Sequence, residues 1–172
     1  MSSRPVPRIA ATAALLLGLC VAPSGARAED GEGPVAAEGL VQADPAQVRA
    51  LLADYSQIAA LSPEVLEYRV EAAPPCSLVH ITTKGLSAPM HYTVRRCPTA
   101  TGFRETLIDS DGGVEQMVTE WSVAPSEEGS RVRLTVLARV ARVPQFLVNQ
   151  QTRRSIGSLV RKIGEKLNPK MR

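Results

Sequence analysis

PQFLVNQQTRRSIGSLVRKIGEKLN, residues Pro144 to Asn168, is the only long helical pattern in the chain, and it comes last. Its apolar stripe is Leu147, Ile156, Leu159, Val160, Ile163 and Leu167, at the spacing of one helix face. Everything before it, after a leader, reads as one short helical pair and a run of strands. A sheet with one apolar face needs a cover, and this helix alone is long enough to supply it. The pattern predicts a sheet curved around the helix, with the functional site in the space between them. Phe146, Gln150 and Gln151, in the first turns, are expected in the wall of that space. Gly157 is the point at which the helix could bend.

The 172 residues suffice for one domain with a real core. The first 28 read as a secretory signal peptide. Arg4 and Arg8 give a basic start, Ile9 to Val21 is a mostly apolar run, and Ala26-Arg27-Ala28 is an A-x-A cleavage signal. The apolar run is short for a membrane span, which leaves an uncleaved anchor as the weaker alternative. Leu19 stands before Cys20 where lipoprotein sites carry a small residue, so lipidation is not expected. Cleavage would place the protein in the periplasm or outside the cell. It would also change the charge. The leader holds three of the 20 basic residues and no acid, leaving 17 basic against 17 acidic. A neutral mature chain makes no case for nucleic acid. The charge is uneven, however: seven basic residues face one acid, Glu165, from Pro144 onward.

Residues 29–34 read as a flexible, Gly-rich N-terminus, and 35–168 as the single domain. Val35 to Ala43 is a weak first strand. Asp44 is a good N-cap with Pro45 in the first helical position, and Val48, Leu51 and Leu52 give that helix one apolar face. A break near Asp54-Tyr55-Ser56 leads to a second short helix, Gln57 to Leu61, which ends at Ser62-Pro63. Six strands follow. Leu66, Tyr68, Val70 and Ala72 alternate with charged residues, the mark of a half-buried strand. Cys76–Thr83 and Pro89–Cys97 are joined by Lys84–Ala88. Phe103–Asp109 and Val114–Val123 flank the turn Ser110-Asp111-Gly112-Gly113. Val132–Val140 closes the series.

Two registers can be tested on the side chains. If Cys76 faces Cys97 across an antiparallel pair, Val79 meets Val94, Ile81 meets Tyr92 and Thr83 meets Met90 on one face, which also holds Ser77 opposite Arg96. The other face takes Leu78, Arg95, His80, Thr93, Thr82 and His91. Opposed residues lie about 4.5–5.5 Å apart at Cα, within disulfide range, so a Cys76–Cys97 bridge is expected. Pairing Val123 with Val132 sets Met117, Thr119 and Trp121 on the face of Leu134 and Val136. The 103–109 strand is ambiguous: either Phe103 and Leu107 point inward, or Arg104, Thr106 and Ile108 do.

Strand, two short helices, six strands and a long helix is an order that resembles the START/Bet v 1-like (SRPBCC) superfamily, over about residues 35–167. The branch it looks most similar to is the polyketide cyclase/dehydrase and coenzyme Q-binding one. The residues that carry the resemblance are Ala43-Asp44-Pro45-Ala46-Gln47-Val48 with Leu51-Leu52-Ala53-Asp54-Tyr55, similar to a D-A-P-x-x-V-W-x-x-L-x-D-Y opening. Leu61-Ser62-Pro63, Trp121 with Val123, Ser130-Arg131-Val132 and Val143-Pro144-Gln145-Phe146-Leu147-Val148 continue it. Arg49 departs from the pattern, standing where the family has an aromatic residue. The resemblance implies an α+β helix-grip fold: a curved antiparallel sheet of six to seven strands around the C-terminal helix, with an apolar cavity between them. It implies ligands such as lipids, quinones, sterols or polyketides. None of these motifs is a catalytic signature.

No metal spacing exists, and no cofactor is expected. His80 and His91 fall on the outer face, Cys76 is better explained by Cys97, and no G-x-S-x-G or phosphate loop occurs. Glu105 and Glu120 lie on adjacent strands and could form an acid pair, but alternation turns Glu120 outward. Arg104 is either a solvated arginine or a charge in the cavity, where it would need a partner. The aromatic and methionine positions read as plain core or as pocket wall. One helix over so many strands favours pocket wall. The expected ligand-binding set is Tyr68, Val70, Val79, Ile81, Met90, Tyr92, Arg104, Met117, Trp121, Val136, Phe146 and Gln150. The basic face of the last helix, Arg153, Arg154, Arg161 and Lys162, is either solvated surface or a contact with anionic lipid.

Three functions are therefore open. The first is an exported monomeric carrier of a hydrophobic small molecule or lipid. The second is a cyclase- or hydrolase-type enzyme in the same cavity. The third is a module that docks through its basic helix.

Overall fold

The first helix starts where the sequence places it. Asp44 accepts a hydrogen bond from the Ala46 backbone at 2.7 Å, and the Gln47 side chain accepts one from the Asp44 N–H at 3.2 Å, a reciprocal capping box. In the computed structural model this helix, α1 (Pro45–Ala53), follows β1 (Val35–Val41). The structure describes residues 33–85, 88–111 and 113–168. The leader over 1–28, the tail up to 32, Leu86 and Ser87 of the Lys84–Ala88 connection, and the turn residue Gly112 lie outside the described residues. The second helix, α2 (Tyr55–Leu61), begins two residues earlier than expected, because Asp54 accepts from the Ser56 N–H at 2.9 Å and caps it. The Ser56 hydroxyl hydrogen-bonds the same carboxylate and holds its pKa below the usual value.

Six strands and a helix follow: β2 (Val65–Ala73), β3 (Cys76–Thr83), β4 (Met90–Pro98), β5 (Gly102–Ser110), β6 (Val114–Ser126), β7 (Gly129–Val140) and α3 (Gln145–Leu167). The strands form one antiparallel sheet in the order β1-β7-β6-β5-β4-β3-β2. Both tested registers occur. Val79 pairs with Val94 and Ile81 with Tyr92; Val123 pairs with Val132 and Trp121 with Leu134. Cys76 and Cys97 form a disulfide with their Cα atoms 4.3 Å apart. Register shifts between Val65 and Glu67, Thr93 and Val94, and Val114 and Gln116 mark bulges, which bend strands and help the sheet curve.

The long helix crosses the sheet at one end, against β1 and β7. Ile156, Val160 and Ile163 bury there with Val41, Trp121, Val132 and Leu134, and α1 adds Val48 and Leu52. The approach is close at Gly39. A Cβ there would stand 2.8 Å from Val160 Cγ1, so β1 needs glycine opposite the helix. A second cluster, Tyr55, Val79, Ile81 and Val94, lies under α2.

The far edge is less covered than the sequence pattern suggests. The alternation of β2 reads as half-buried, yet Leu66, Tyr68 and Val70 are each more than two-fifths exposed. The periodicity is real, and Tyr68 and Val70 do pair with Ile81 and Val79. But β2 is an edge strand, and α3 lies at the opposite end of the sheet.

Candidate functional site

Between α3 and the middle of the sheet lies a cavity of about 1450 Å³. Its size follows from the packing above: one helix seated on β1 and β7 cannot also fill the concave side of β3 to β6. Ile81, Met90, Tyr92, Met117, Trp121, Leu134, Val136 and Ala138 form the sheet wall; Leu147, Gln150, Gln151, Ile156 and Leu159 form the helix wall; Tyr55 and Ile58 close it from α2. The walls are mostly aliphatic, the common character of sites for apolar ligands.

Polar and charged side chains such as Glu64, Lys84, Asp111, Glu115 and Arg142 stand around the rim, and a buried polar set lies deeper, on neighbouring strands. Arg96, Glu105 and Thr119 stand opposite one another on β4, β5 and β6. All three are buried, and Glu105 and Thr119 line the cavity. Arg96 Nη1 donates to Glu105 Oε1, and Nη2 donates to the Leu52 carbonyl at the end of α1. The guanidinium also lies over the Phe103 ring, 4.3 Å from its centroid, and faces the Tyr55 ring at 5.6 Å. Arg96 thus ties α1 and α2 to the sheet and holds the carboxylate at the cavity wall. Its Nε has no hydrogen-bond partner among the described residues.

Burial pushes the Glu105 carboxyl above its ordinary pKa, against the opposing pull of Arg96. Burial, reinforced by the Glu105 charge, likewise raises Tyr92 to about 12, although a hydrogen bond with Thr83 opposes it. Tyr55 is raised for the same two leading reasons. At neutral pH the cavity therefore presents neutral phenols and one buried carboxyl. Such a set can donate to or accept from one polar group on a ligand that is otherwise apolar.

Of the expected binding set, Ile81, Met90, Tyr92, Met117, Trp121, Val136 and Gln150 come together on this cavity. The other five are placed elsewhere. Val79 is packed solidly into the cluster under α2. Tyr68 and Val70 sit on the exposed edge strand, where Tyr68 leans on Tyr55 with ring centroids 5.5 Å apart. Arg104 points outward and pairs with Glu120 at 3.1 Å, because β5 turns its odd-numbered residues inward. That choice of face resolves the 103–109 ambiguity: Phe103 and Glu105 go in, and Arg104 and Ile108 go out. Phe146 is 65% exposed, on the outer side of the first turn of α3.

The Arg96–Glu105 pair was legible in part. The 76–97 register puts Arg96 on the apolar face, but the facing of β5 was open, so its partner could not be named. Glu105 and Glu120 do not meet, being on opposite faces. His80 contacts Thr93 at 3.0 Å and Glu71 at 3.4 Å, and His91 contacts Thr82 at 3.0 Å, all on the outer face as the register requires. Among the described residues no group of three or more His, Cys, Asp or Glu side chains could hold a metal ion.

A curved antiparallel sheet gripping a C-terminal helix over an apolar cavity is the architecture of the START/Bet v 1-like superfamily. The chain belongs to the family described as "Polyketide cyclase / dehydrase and lipid transport", which it matches over residues 35–171. No curated protein matches it in sequence. Solved structures share its fold at low identity. The Zhui aromatase/cyclase from Streptomyces sp. R1128 aligns with a TM-score of 0.71 at 14% identity, covering 81% of this chain and 96% of its own. A START superfamily protein from Mycobacterium smegmatis aligns at 0.70 and 13%, covering 79% and 97%. TTHA0849 from Thermus thermophilus aligns at 0.69 and 19%, covering 81% and 100%.

Proposed function

We propose that the protein is an exported, monomeric carrier of a hydrophobic small molecule with one polar group, lipid-, quinone- or polyketide-like. The observation that carries this reading is the cavity of about 1450 Å³, with a largely aliphatic wall, a buried polar patch at Glu105 and Thr119 beside Tyr92, and charged groups such as Lys84, Glu115 and Arg142 at its exposed rim. The polar group meets that patch, and the apolar remainder lies along Met90, Met117, Val136 and Leu159. Burial of each methylene contributes about 0.8 kcal/mol. Export is supported by the leader signal at 1–28 and by the Cys76–Cys97 bridge, a bond that persists in oxidising compartments.

Organic extraction of the purified protein followed by mass spectrometry tests the carrier. A stoichiometric apolar compound is expected; protein that stays empty and takes up no apolar probe refutes the reading. Cell fractionation tests export, with a mature chain beginning at Glu29 expected outside the cytoplasm.

A second reading is enzymic, and Glu105 favours it. Glu105, starting as the carboxylate that Arg96 pairs with, takes a proton from a carbon next to a carbonyl and returns it to a hydroxyl leaving as water. The carboxyl ends as it began, and a carbon–carbon double bond is left in the product. Glu105→Gln separates the readings: a carrier still takes up a purely apolar probe, whose binding needs no polar patch, and an enzyme of this kind loses turnover by about a hundredfold or more.

A further inference from the structure

The two ends of α3 differ in what their cations do. In the C-terminal half, Arg161 pairs with Glu165, Lys162 donates to the Leu61 carbonyl at 3.0 Å, and Lys166 donates to Gln57. Those groups fasten the helix to α2 or are already balanced. In the N-terminal half, Arg153 and Arg154 are exposed and have no ion pair among the described residues. No acidic residue occurs in α3 before Glu165.

Phe146, Gln150, Arg153 and Arg154 recur at helical spacing on the outward side of this half, all exposed. Phe146 is 65% exposed and the adjacent Leu147 is 43% exposed. Leu147 and Gln150 also line the cavity, so this surface continues into its rim. Just before the helix, Arg142 holds a left-handed backbone, with φ of 60°. That conformation is costly for a non-glycine residue, and packing around it must offset the cost. Arg142 lies on the same rim, and in the adjoining cleft it and Arg139 outnumber Glu115.

We propose that this face, Phe146 and Leu147 with Arg142, Arg153 and Arg154, docks on an anionic lipid bilayer and sets the cavity rim against it. The phenyl and isobutyl groups enter the interfacial layer, and the guanidiniums are drawn by their charge to the anionic head groups. A protein partner fits less well. A stable protein interface needs a broad complementary patch of roughly 800 Å² per side. Here the apolar part is two side chains ringed by long flexible cations. A bilayer needs no shape match, and each nearby basic residue adds attraction to an anionic leaflet.

Vesicle sedimentation tests the proposal, with wild type and variants compared in the same purified form so that any contribution of the first 28 residues cancels. Vesicles of phosphatidylcholine with phosphatidylglycerol should bind the protein at least about tenfold more tightly than phosphatidylcholine alone, and added salt should erase much of the difference. Phe146→Ser should weaken binding by about tenfold or more. Arg153→Glu with Arg154→Glu should do the same, whereas the paired lysine substitutions should retain binding. Each variant should keep the wild-type thermal midpoint and its uptake of a fluorescent apolar probe, since none of these substituted side chains lines the cavity. Equal binding to both vesicle types, unchanged binding by the charge-reversed variant, or binding to an acidic protein but not to vesicles would each overturn the docking surface. Vesicle binding by a protein whose cavity is empty and takes up no apolar probe would remove the carrier reading and leave this one standing.

Discussion

At the scale of single residues, the decisive pair is Arg96 and Glu105. A buried ion pair is no sure source of stability, because desolvation offsets much of its attraction. Removing one member is different, since the other is left buried and unpaired. Arg96→Leu should therefore lower the unfolding free energy by about 3–5 kcal/mol. The double variant with Glu105→Leu should recover part of that loss, and denaturant unfolding of the two checks the coupling. Additive losses would mean that the side chains act separately. Tyr92 makes a second prediction, in pH. Its folded pKa, about 12, lies above the ordinary value of 10.0. Its contribution to stability is then complete below pH 10.0 and is lost as the pH rises toward about 12. In a tyrosinate absorbance titration, Tyr92→Phe should remove one phenol from that alkaline step. A Tyr92 that ionises at its ordinary value contradicts the burial argument.

At the scale of elements, glycines separate packing from propensity. Gly39 lets β1 pass under α3, with Val160 Cγ1 only 2.8 Å from where a Cβ would stand. Gly39→Val should push the helix off the strand and cost about 1–3 kcal/mol in thermal or denaturant unfolding. Gly157, in the middle of α3, has nothing within 4 Å of an added Cβ. Gly157→Ala should stabilise the helix by about 1 kcal/mol. If α3 bends at Gly157 to release a ligand, the same variant should release an apolar probe more slowly, and equal rates would place the movement elsewhere. The elements themselves were largely legible. Asp44-Pro45 announced α1, and the alternation in β7 and the facing cysteines set two registers. α2 starts two residues before the position the sequence pattern gives, because Asp54 serves both as the end of one helix and as the cap of the next.

At the scale of the whole molecule, the cavity exists because α3, the long helix, lies over one end of the seven-stranded sheet and the short α1 and α2 leave its middle open. Ala138 lies on its wall, a small side chain on β7. Ala138→Phe should fill part of the space, reducing uptake of long apolar probes by roughly tenfold while leaving the unfolding free energy within about 1 kcal/mol of wild type. Undiminished uptake would mean that ligands lie elsewhere. The arrangement also explains why only part of the expected set lines the cavity. Seven candidate residues reach the cavity, yet Tyr68 and Val70, with the same alternation, lie at the uncovered edge. Alternation tells which face a side chain takes, and it carries no information about how far along the sheet the cover extends.

The sequence by itself determined the order of the elements, the cysteine pairing, two strand registers and the helix that closes the fold. These follow from local periodicity, capping chemistry and the antiparallel count, all of which act between near neighbours or directly opposed residues. The tertiary structure alone decided which face of β5 turns inward, and so brought Glu105 to Arg96 and sent Arg104 to Glu120. It decided too that Phe146 stands outside the cavity while Leu147 reaches its rim. Each of these depends on where α1 and α3 come to rest on the curved sheet. That position is set by the summed packing of distant surfaces, which no short stretch of the chain records.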